Sequence, residues 1–380
     1  MHSTTRLSGG RLRAIGLGAV ALTLVLAGCG SDSNADSGEE GSSADQLAEA
    51  RTITEESMQR PTTIQDLGPI GAPVPTGKTI ASILCGLKSC EELNSIFIDA
   101  AEVLGWKVVT IPTTGAPESV KAAWQQVVQM QPDGVIASGH DTYLYADELE
   151  KVVDAGIPVV QNSLTEEATE ENGLLASYNN SQTTRAGGLA AAFVVDHSQG
   201  KANTLYVDLP AFKVLEAVRE NFEEEYDKLC PGCGYETMDV ALTQVGKEIP
   251  NLLVSKLRAN PDINYVQMPT GAMSAGVGAA LKAAGLAEKV NVVTTASGAT
   301  NFAAVAAGDE LAAQALGFYE LMWLEADTLA RFFAGAEVGD RNAIPMIRQT
   351  LVEDNVVETN GLYPLVEDYD AQFKALWGME

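Results

Sequence analysis

Groups able to do chemistry are sparse in this sequence, and their spacing narrows what they can do. Five cysteines fall as Cys29 alone and two close pairs, Cys85 with Cys90 and Cys230 with Cys233. The string Cys230-Pro231-Gly232-Cys233 has the spacing of a redox-active dithiol. Such a motif should open a helix after a strand, whereas this one follows a helical stretch and precedes a strand. Outside the cytosol, even-numbered local pairs read as disulfides, each closing a loop so short that its stabilisation should not exceed about 3 kcal/mol. Of three histidines, only His140 and His197 lie beyond the N-terminal segment. No Gly-x-Ser-x-Gly elbow, no Gly-x-x-x-x-Gly-Lys phosphate loop and no zinc-spaced Cys/His set accompanies them, so no matched acid, base or nucleophile is assembled. The expectation is a protein that is not an enzyme and uses neither metal nor cofactor.

At the N-terminus Arg6, Arg11 and Arg13 precede an apolar run from Ala14 to Leu26, the pattern of an export signal. The run is shorter than the roughly 20 apolar residues that a membrane-spanning helix needs. Its end, Leu26-Ala27-Gly28-Cys29, resembles the lipobox of bacterial lipoproteins. That resemblance implies cleavage after residue 28 and acylation of Cys29, an extracytoplasmic location, and membrane contact through the lipid anchor only. The net charge of −27 becomes more acidic still once the three arginines are removed, which argues against nucleic acid as a partner. With 46% hydrophobic residues the chain can nevertheless bury a large core, and its length suggests two domains.

Two stretches separate the signal from the folded body. Residues 30–46 are rich in Ser, Asp, Glu and Gly, a composition too polar to order itself and suited to a flexible tether. The rest, to residue 77, holds Pro61, Pro69, Pro73 and Pro75 and reads as extended chain laid on a domain surface, with the fold beginning at Lys78. From there apolar, β-rich runs at 79–84, 107–111, 134–138, 158–161 and 174–177 alternate with amphipathic helical stretches at 92–104, 118–130 and 145–155. The alternation restarts after Asn179 and Asn180, with a helix over 184–195. Strands are expected at 204–208, 236–240, 263–267, 290–294 and 311–315, and helices at 212–229, 249–258, 272–284 and 300–307. Such alternation calls for α/β architecture: two doubly wound lobes, each a parallel sheet covered on both faces. A helix over 319–333 and an extended segment at 343–352 remain to cross between them.

Ligands of open parallel sheets bind beyond the carboxyl ends of the strands. That rule selects the loops 85–91, 139–142 and 162–165 in the first lobe, and 209–213, 268–272 and 296–299 in the second. Within them His140, Asp141, Asn162, Phe212, Lys213, Thr270 and Ser297 carry groups that could bond to, or stack on, a small polar molecule. Asn162 and Asp141 directly end buried strands.

Several strings make the likeness to a known family specific. Phe97-Ile98-Asp99-Ala100-Ala101-Glu102-Val103-Leu104-Gly105-Trp106 matches a first helix and its turn, and Gln131-Pro132-Asp133-Gly134-Val135-Ile136 a third strand. Ala155-Gly156-Ile157-Pro158-Val159-Val160 matches a fourth, and Gly308-Asp309-Glu310-Leu311-Ala312-Ala313 the strand near a second hinge. On these residues the chain from 78 to 355 resembles the ribose-binding-protein-like, type I, pentose/hexose class of periplasmic solute-binding proteins of ABC importers. The resemblance implies a three-strand hinge, with crossings near 178–180, 316–318 and 348–352. The expected organisation is then a signal peptide (1–28), a lipidated cysteine with tether and extended lead-in (29–77), a first lobe (78–178 plus 318–347) and a second (179–317 plus 348–380). It also implies a monomer that closes on a small solute and delivers it to an ABC permease. A co-receptor for a membrane sensor kinase or chemoreceptor would read the same way. The chain departs from the family's sugar binders at Ala296-Ser297-Gly298, at Thr270-Gly271 and at Leu316-Gly317-Phe318, where those proteins place carboxylates and amides that satisfy sugar hydroxyls. With Phe212, Phe318 and Tyr319 nearby, a small solute that is sugar-like or less hydroxylated and partly apolar is expected.

Overall fold

The computed structural model describes residues 42–180, 185–342, 344–357 and 361–379. The signal peptide, Cys29 and the tether as far as residue 41 therefore lie outside the described residues. Helix α1 (Ala44–Met58) comes first. The Gln46 N–H donates to Ser43 Oγ at 3.3 Å and the Ser43 N–H donates to Gln46 Oε1 at 2.8 Å, a reciprocal cap that satisfies two backbone donors. Residues 59–77 follow without helix or strand. Then come β1 (Thr79–Ile83), α2 (Lys88–Val103), β2 (Lys107–Ile111), α3 (Pro117–Met130), β3 (Gly134–Ser138), α4 (Ala146–Asp154), β4 (Val159–Asn162) and β5 (Ala176–Tyr178).

These strands form one sheet in the order β2-β1-β3-β4-β5, parallel throughout. Successive side chains on a strand point to opposite faces, and the two faces feed different cores. Ile80, Ile136 and Val160 pack with Phe97 and Ala100 of α2. Ala81, Val135 and Val159 pack with Val120, Trp124 and Leu149 of α3 and α4. Burial on both faces is why the strands are apolar runs rather than alternations of apolar and polar.

The second lobe comprises α5 (Ala186–Ser198), β6 (Asn203–Asp208), α6 (Lys213–Leu229), β7 (Gly234–Asp239), α7 (Ile249–Ala259), β8 (Tyr265–Met268), α8 (Val277–Ala284), β9 (Asn291–Ser297), α9 (Ala299–Ala306) and β10 (Ala312–Leu316). After α10 (Phe318–Ala334), β11 (Arg348–Leu351) completes its sheet, and α11 (Tyr369–Leu376) is the last element. Strand order is β11-β10-β9-β8-β6-β7. All its pairs are parallel except β11, which runs antiparallel to β10 with Arg348 opposite Leu316. Helices α5 and α6 approach so closely at Gly187 that a Cβ there would lie 2.0 Å from the Val218 carbonyl oxygen.

Two expected boundaries need correction. The fold does not begin at Lys78: α1 is already folded against the second lobe, where Ala50 packs in one core with Phe193 and Val194. Nor does the segment 348–380 belong wholly to the second lobe. Strand β11 does, but α11 lies on the first, with Trp377 stacked on Trp323 of α10 at 5.2 Å and Phe373 in the same core. Each terminal segment is too short to build a core of its own, so each buries its few apolar residues on whichever lobe is nearest. The extended residues follow the same logic on the first lobe: Ile70 donates its N–H to the Leu376 carbonyl at 2.8 Å, and Trp106 Nε1 donates to the Pro75 carbonyl at 2.8 Å. The described elements thus change lobe five times, at α1 to β1, β5 to α5, β10 to α10, α10 to β11 and β11 to α11, where three crossings were expected.

Candidate functional site

Strand ends from both sheets converge on one cleft of about 760 Å³, its mouth included. From the first lobe come Cys85 after β1, Ser138 and Gly139 at the end of β3, Asn162 and Ser163 at the end of β4, and Asn179 after β5. The second lobe contributes Phe212 before α6, Thr270 after β8, Ala296 near the end of β9, and Leu316 ending β10. Phe318, at the start of α10, and Arg348 complete the ring. Much of the wall is apolar: the Cys85–Cys90 disulfide, Leu87, Leu93, Val214, Leu215 and Val218.

Backbone conformation marks the same place. Ser163, Asn179 and Ala296 adopt φ of 59°, 49° and 44°, a left-handed region that residues other than glycine occupy only at some cost. All three line the cleft. Beside Ala296 the register of β9 and β10 slips between Gln314 and Ala315, a bulge of the kind that re-aims groups at binding sites. Gly139 sits at φ 79°, which disfavours a side chain, and a Cβ there would press on Cys85, 3.1 Å from its Cβ.

Of the residues that the sequence singles out, Asn162, Phe212, Thr270 and Phe318 line the cleft. Asn162 is held from behind, its Nδ2 donating to Ser138 Oγ at 2.9 Å and to Glu325 Oε1 at 2.7 Å, while its buried Oδ1 has no partner. Burial in α10 raises the Glu325 pKa to about 8, although the bond from Asn162 opposes the shift. Glu325 is therefore a neutral acid near pH 7.

Five other candidates are not among the lining residues. His140 is buried behind the wall, its ring 5.7 Å from that of Phe212. Its Nε2 lies 3.2 Å from the Cys85 carbonyl oxygen, which can only accept, so Nε2 carries the proton, and burial lowers its pKa. Asp141 is spent inside its own lobe, where Oδ1 accepts the Thr165 N–H at 2.7 Å. Lys213 is exposed and pairs with Glu216 at 3.2 Å. Ser297 is fully buried, its Oγ 2.9 Å from Thr294 Oγ1 in a network that continues to Glu310. Tyr319 packs edge-on against Tyr369 at 5.3 Å, under α11. The common reason is directional: successive residues at a strand end face opposite sides, and a helix's first turn points as readily outward as inward.

Arg348 is the charged cleft residue that sequence reading missed as a binding group; it, like Asn179, was named only within a crossing. A rule that looks at carboxyl ends of parallel strands cannot find it, because β11 runs antiparallel and brings its amino end to the cleft beside Leu316. Burial lowers its pKa to about 10, so the guanidinium stays charged. It donates from Nη2 to Asn179 Oδ1 at 2.5 Å, and Asn179 Nδ2 donates in turn to Ser163 Oγ at 3.1 Å. A chain of bonds therefore joins the second sheet to the first across the floor.

Both predicted disulfides are formed. Cys85–Cys90 ties the end of β1 to the first turn of α2, and Cys230–Cys233 ties the end of α6 to the start of β7, with Cα separations of 5.9 and 5.4 Å. These lie within the ordinary range for such bonds. Among the described residues no helix is long and apolar enough to cross a membrane.

Residues 90–336 match the family model described as periplasmic binding protein domain. No curated protein matches the chain in sequence. Solved structures do match in fold. An ABC transporter periplasmic solute binding protein from Actinobacillus succinogenes with bound D-allose superposes with a TM-score of 0.66 at 16% identity, covering 73% of this chain and 99% of that one. A 5-methylthioribose transporter solute binding protein from Thermotoga lettingae, in complex with 5-methylthioribose, gives 0.66 at 15% identity, covering 80% and 95%. A carbohydrate transporter protein from Acidothermus cellulolyticus, in complex with myo-inositol, gives 0.64 at 19% identity, covering 74% and 96%.

Proposed function

The chain belongs to the family of periplasmic binding protein domains, and from that premise we propose that it is the extracytoplasmic, lipid-anchored solute receptor of an ABC importer. Its cleft takes a small solute that is sugar-like or less hydroxylated and partly apolar, and passes it to the permease after the lobes close. The observation that carries the reading is the cleft itself. Strained backbone, unpartnered polar atoms and apolar side chains from both lobes meet at one place, where open α/β sheets bind ligands. The sugars and myo-inositol held by the structural relatives support a small, compact solute. The apolar wall and the scarcity of carboxylates around it support one with fewer hydroxyls. Cys29 supplies the anchor, and the protein works as a monomer without catalytic role.

A thermal-shift screen against sugars, polyols, nucleosides, aromatic acids and amino-acid derivatives tests this reading. A solute at 100 times its dissociation constant should add about 2.7 kcal/mol of stability, and no shift across the panel would count against solute binding. For the anchor, Cys29→Ser should release the protein from the membrane fraction or leave it unprocessed. A fully processed variant still in the membrane would rule out acylation at that residue.

A further inference from the structure

Among the described residues that line the cleft, Arg348 is the single ionisable side chain, since both cysteines there are bonded to each other. It stands in a chain whose formal net charge is −27, yet no ion pair among the described residues includes it. Its Nε is buried without a partner, and only Nη2 is spent, on Asn179. Glu325, the acid that holds Asn162, does not supply the opposite charge, because burial keeps it protonated near neutral pH. An unpaired charge in a largely desolvated site is costly unless something supplies its partner. A guanidinium is suited to accept that partner in a planar, two-pronged fashion.

We propose that the solute is a small carboxylic acid with an apolar body, whose carboxylate is taken by Arg348 and whose body lies against Phe212, Val218, Leu93 and Phe318. This deepens the cleft reading and rests on it. A monoanion fits better than a phosphate, because one guanidinium balances one charge and the described wall offers no second cation. A polyol fits worse, because hydroxyls turned toward Leu93, Val214 or Val218 would lose their hydrogen bonds to water and gain none. The unpartnered Asn162 Oδ1 adds one acceptor on the first lobe, which a hydroxyl or amino group on the same acid would satisfy.

Isothermal titration of the protein decides the matter with matched probes: 3-phenylpropanoate, 4-hydroxyphenylacetate and 2-hydroxy-4-methylpentanoate, the primary amides of the same skeletons, D-ribose, myo-inositol and inorganic phosphate. The expected result is that at least one acid binds, that its amide binds at least about tenfold more weakly, and that Arg348→Gln abolishes the difference while Arg348→Lys keeps part of it. Amides binding as well as acids, or an acid preference that survives in Arg348→Gln, would overturn the proposal. Binding of D-ribose or myo-inositol in place of every acid would overturn it too while leaving the cleft reading intact. Binding of phosphate alone would reject the apolar body. Silence from all probes would count against both the acid and the cleft. The comparison of acid with amide on the unmodified protein is decisive even if Arg348→Gln fails to fold.

Discussion

Asn162 and Glu325 form a buried pair in which burial favours the uncharged form of the acid. The folded state raises the Glu325 pKa from its ordinary 4.5 to about 8, so the folded protein holds a proton there that the unfolded chain releases earlier. Its contribution is fully present below about pH 4.5 and is lost as the pH rises toward 8. Glu310, raised to about 7 in its own network of Ser274, Thr294 and Asn301, acts in the same sense. Glu325→Gln keeps an acceptor for Asn162 Nδ2 and cannot ionise. Thermal melts from pH 5 to pH 8 should therefore show a smaller fall in midpoint for the variant than for the native protein. Equal falls would mean that Glu325 is ionised throughout. At this scale the sequence was legible where a residue type and a strand end coincided with an inward direction, as at Asn162, Phe212 and Thr270. It was not legible at Ser297, Lys213 and Tyr319, because facing is decided by register, nor at Arg348, because nothing in the local pattern announces an antiparallel strand.

Element by element, the parallel strands and their covering helices follow from apolar runs, amphipathic periodicity and the punctuation at Gly105, Pro132 and Gly156. Helix α2 begins at Lys88 rather than at residue 92, a shift that puts Cys90 in its first turn and lets the disulfide shape the cleft wall. The terminal helices were the hidden part. Their sequences carry charged and small residues over most of their surface, and only the partner lobe shows which side is covered. Trp377 makes the consequence measurable. It stacks on Trp323 at 5.2 Å with the rings 5° from parallel, and its Nε1 donates to Asp327 Oδ1 at 3.1 Å, while Asp327 is paired with Arg331 at 2.7 Å. Trp377→Ala should cost about 3–5 kcal/mol, read as a lowered midpoint in chemical denaturation. A cost below about 1 kcal/mol would be that of a surface residue and would show that α11 is not part of the first lobe's core.

For the molecule as a whole, the described elements change lobe five times and set two lobes around one shared cleft, and the proposed function needs those lobes to rotate about a joint. Tyr178 to Asn180 and Leu316 to Phe318 lie at element ends, where a few dihedrals can absorb a rotation. The bond from Arg348 to Asn179 and the packing of the Phe212 ring 5.7 Å from that of His140 tie the lobes together in the arrangement described. A solute that touches both lobes shifts the population toward the closed arrangement by its differential affinity for it. Release to a permease calls for moderate strength, and a dissociation constant of about 1 μM corresponds to roughly −8.2 kcal/mol. Small-angle scattering on the free protein and on protein saturated with the solute that the thermal screen identifies tests this account most directly. The radius of gyration should fall on saturation as the lobes close; an unchanged radius at full occupancy would contradict closure around the solute.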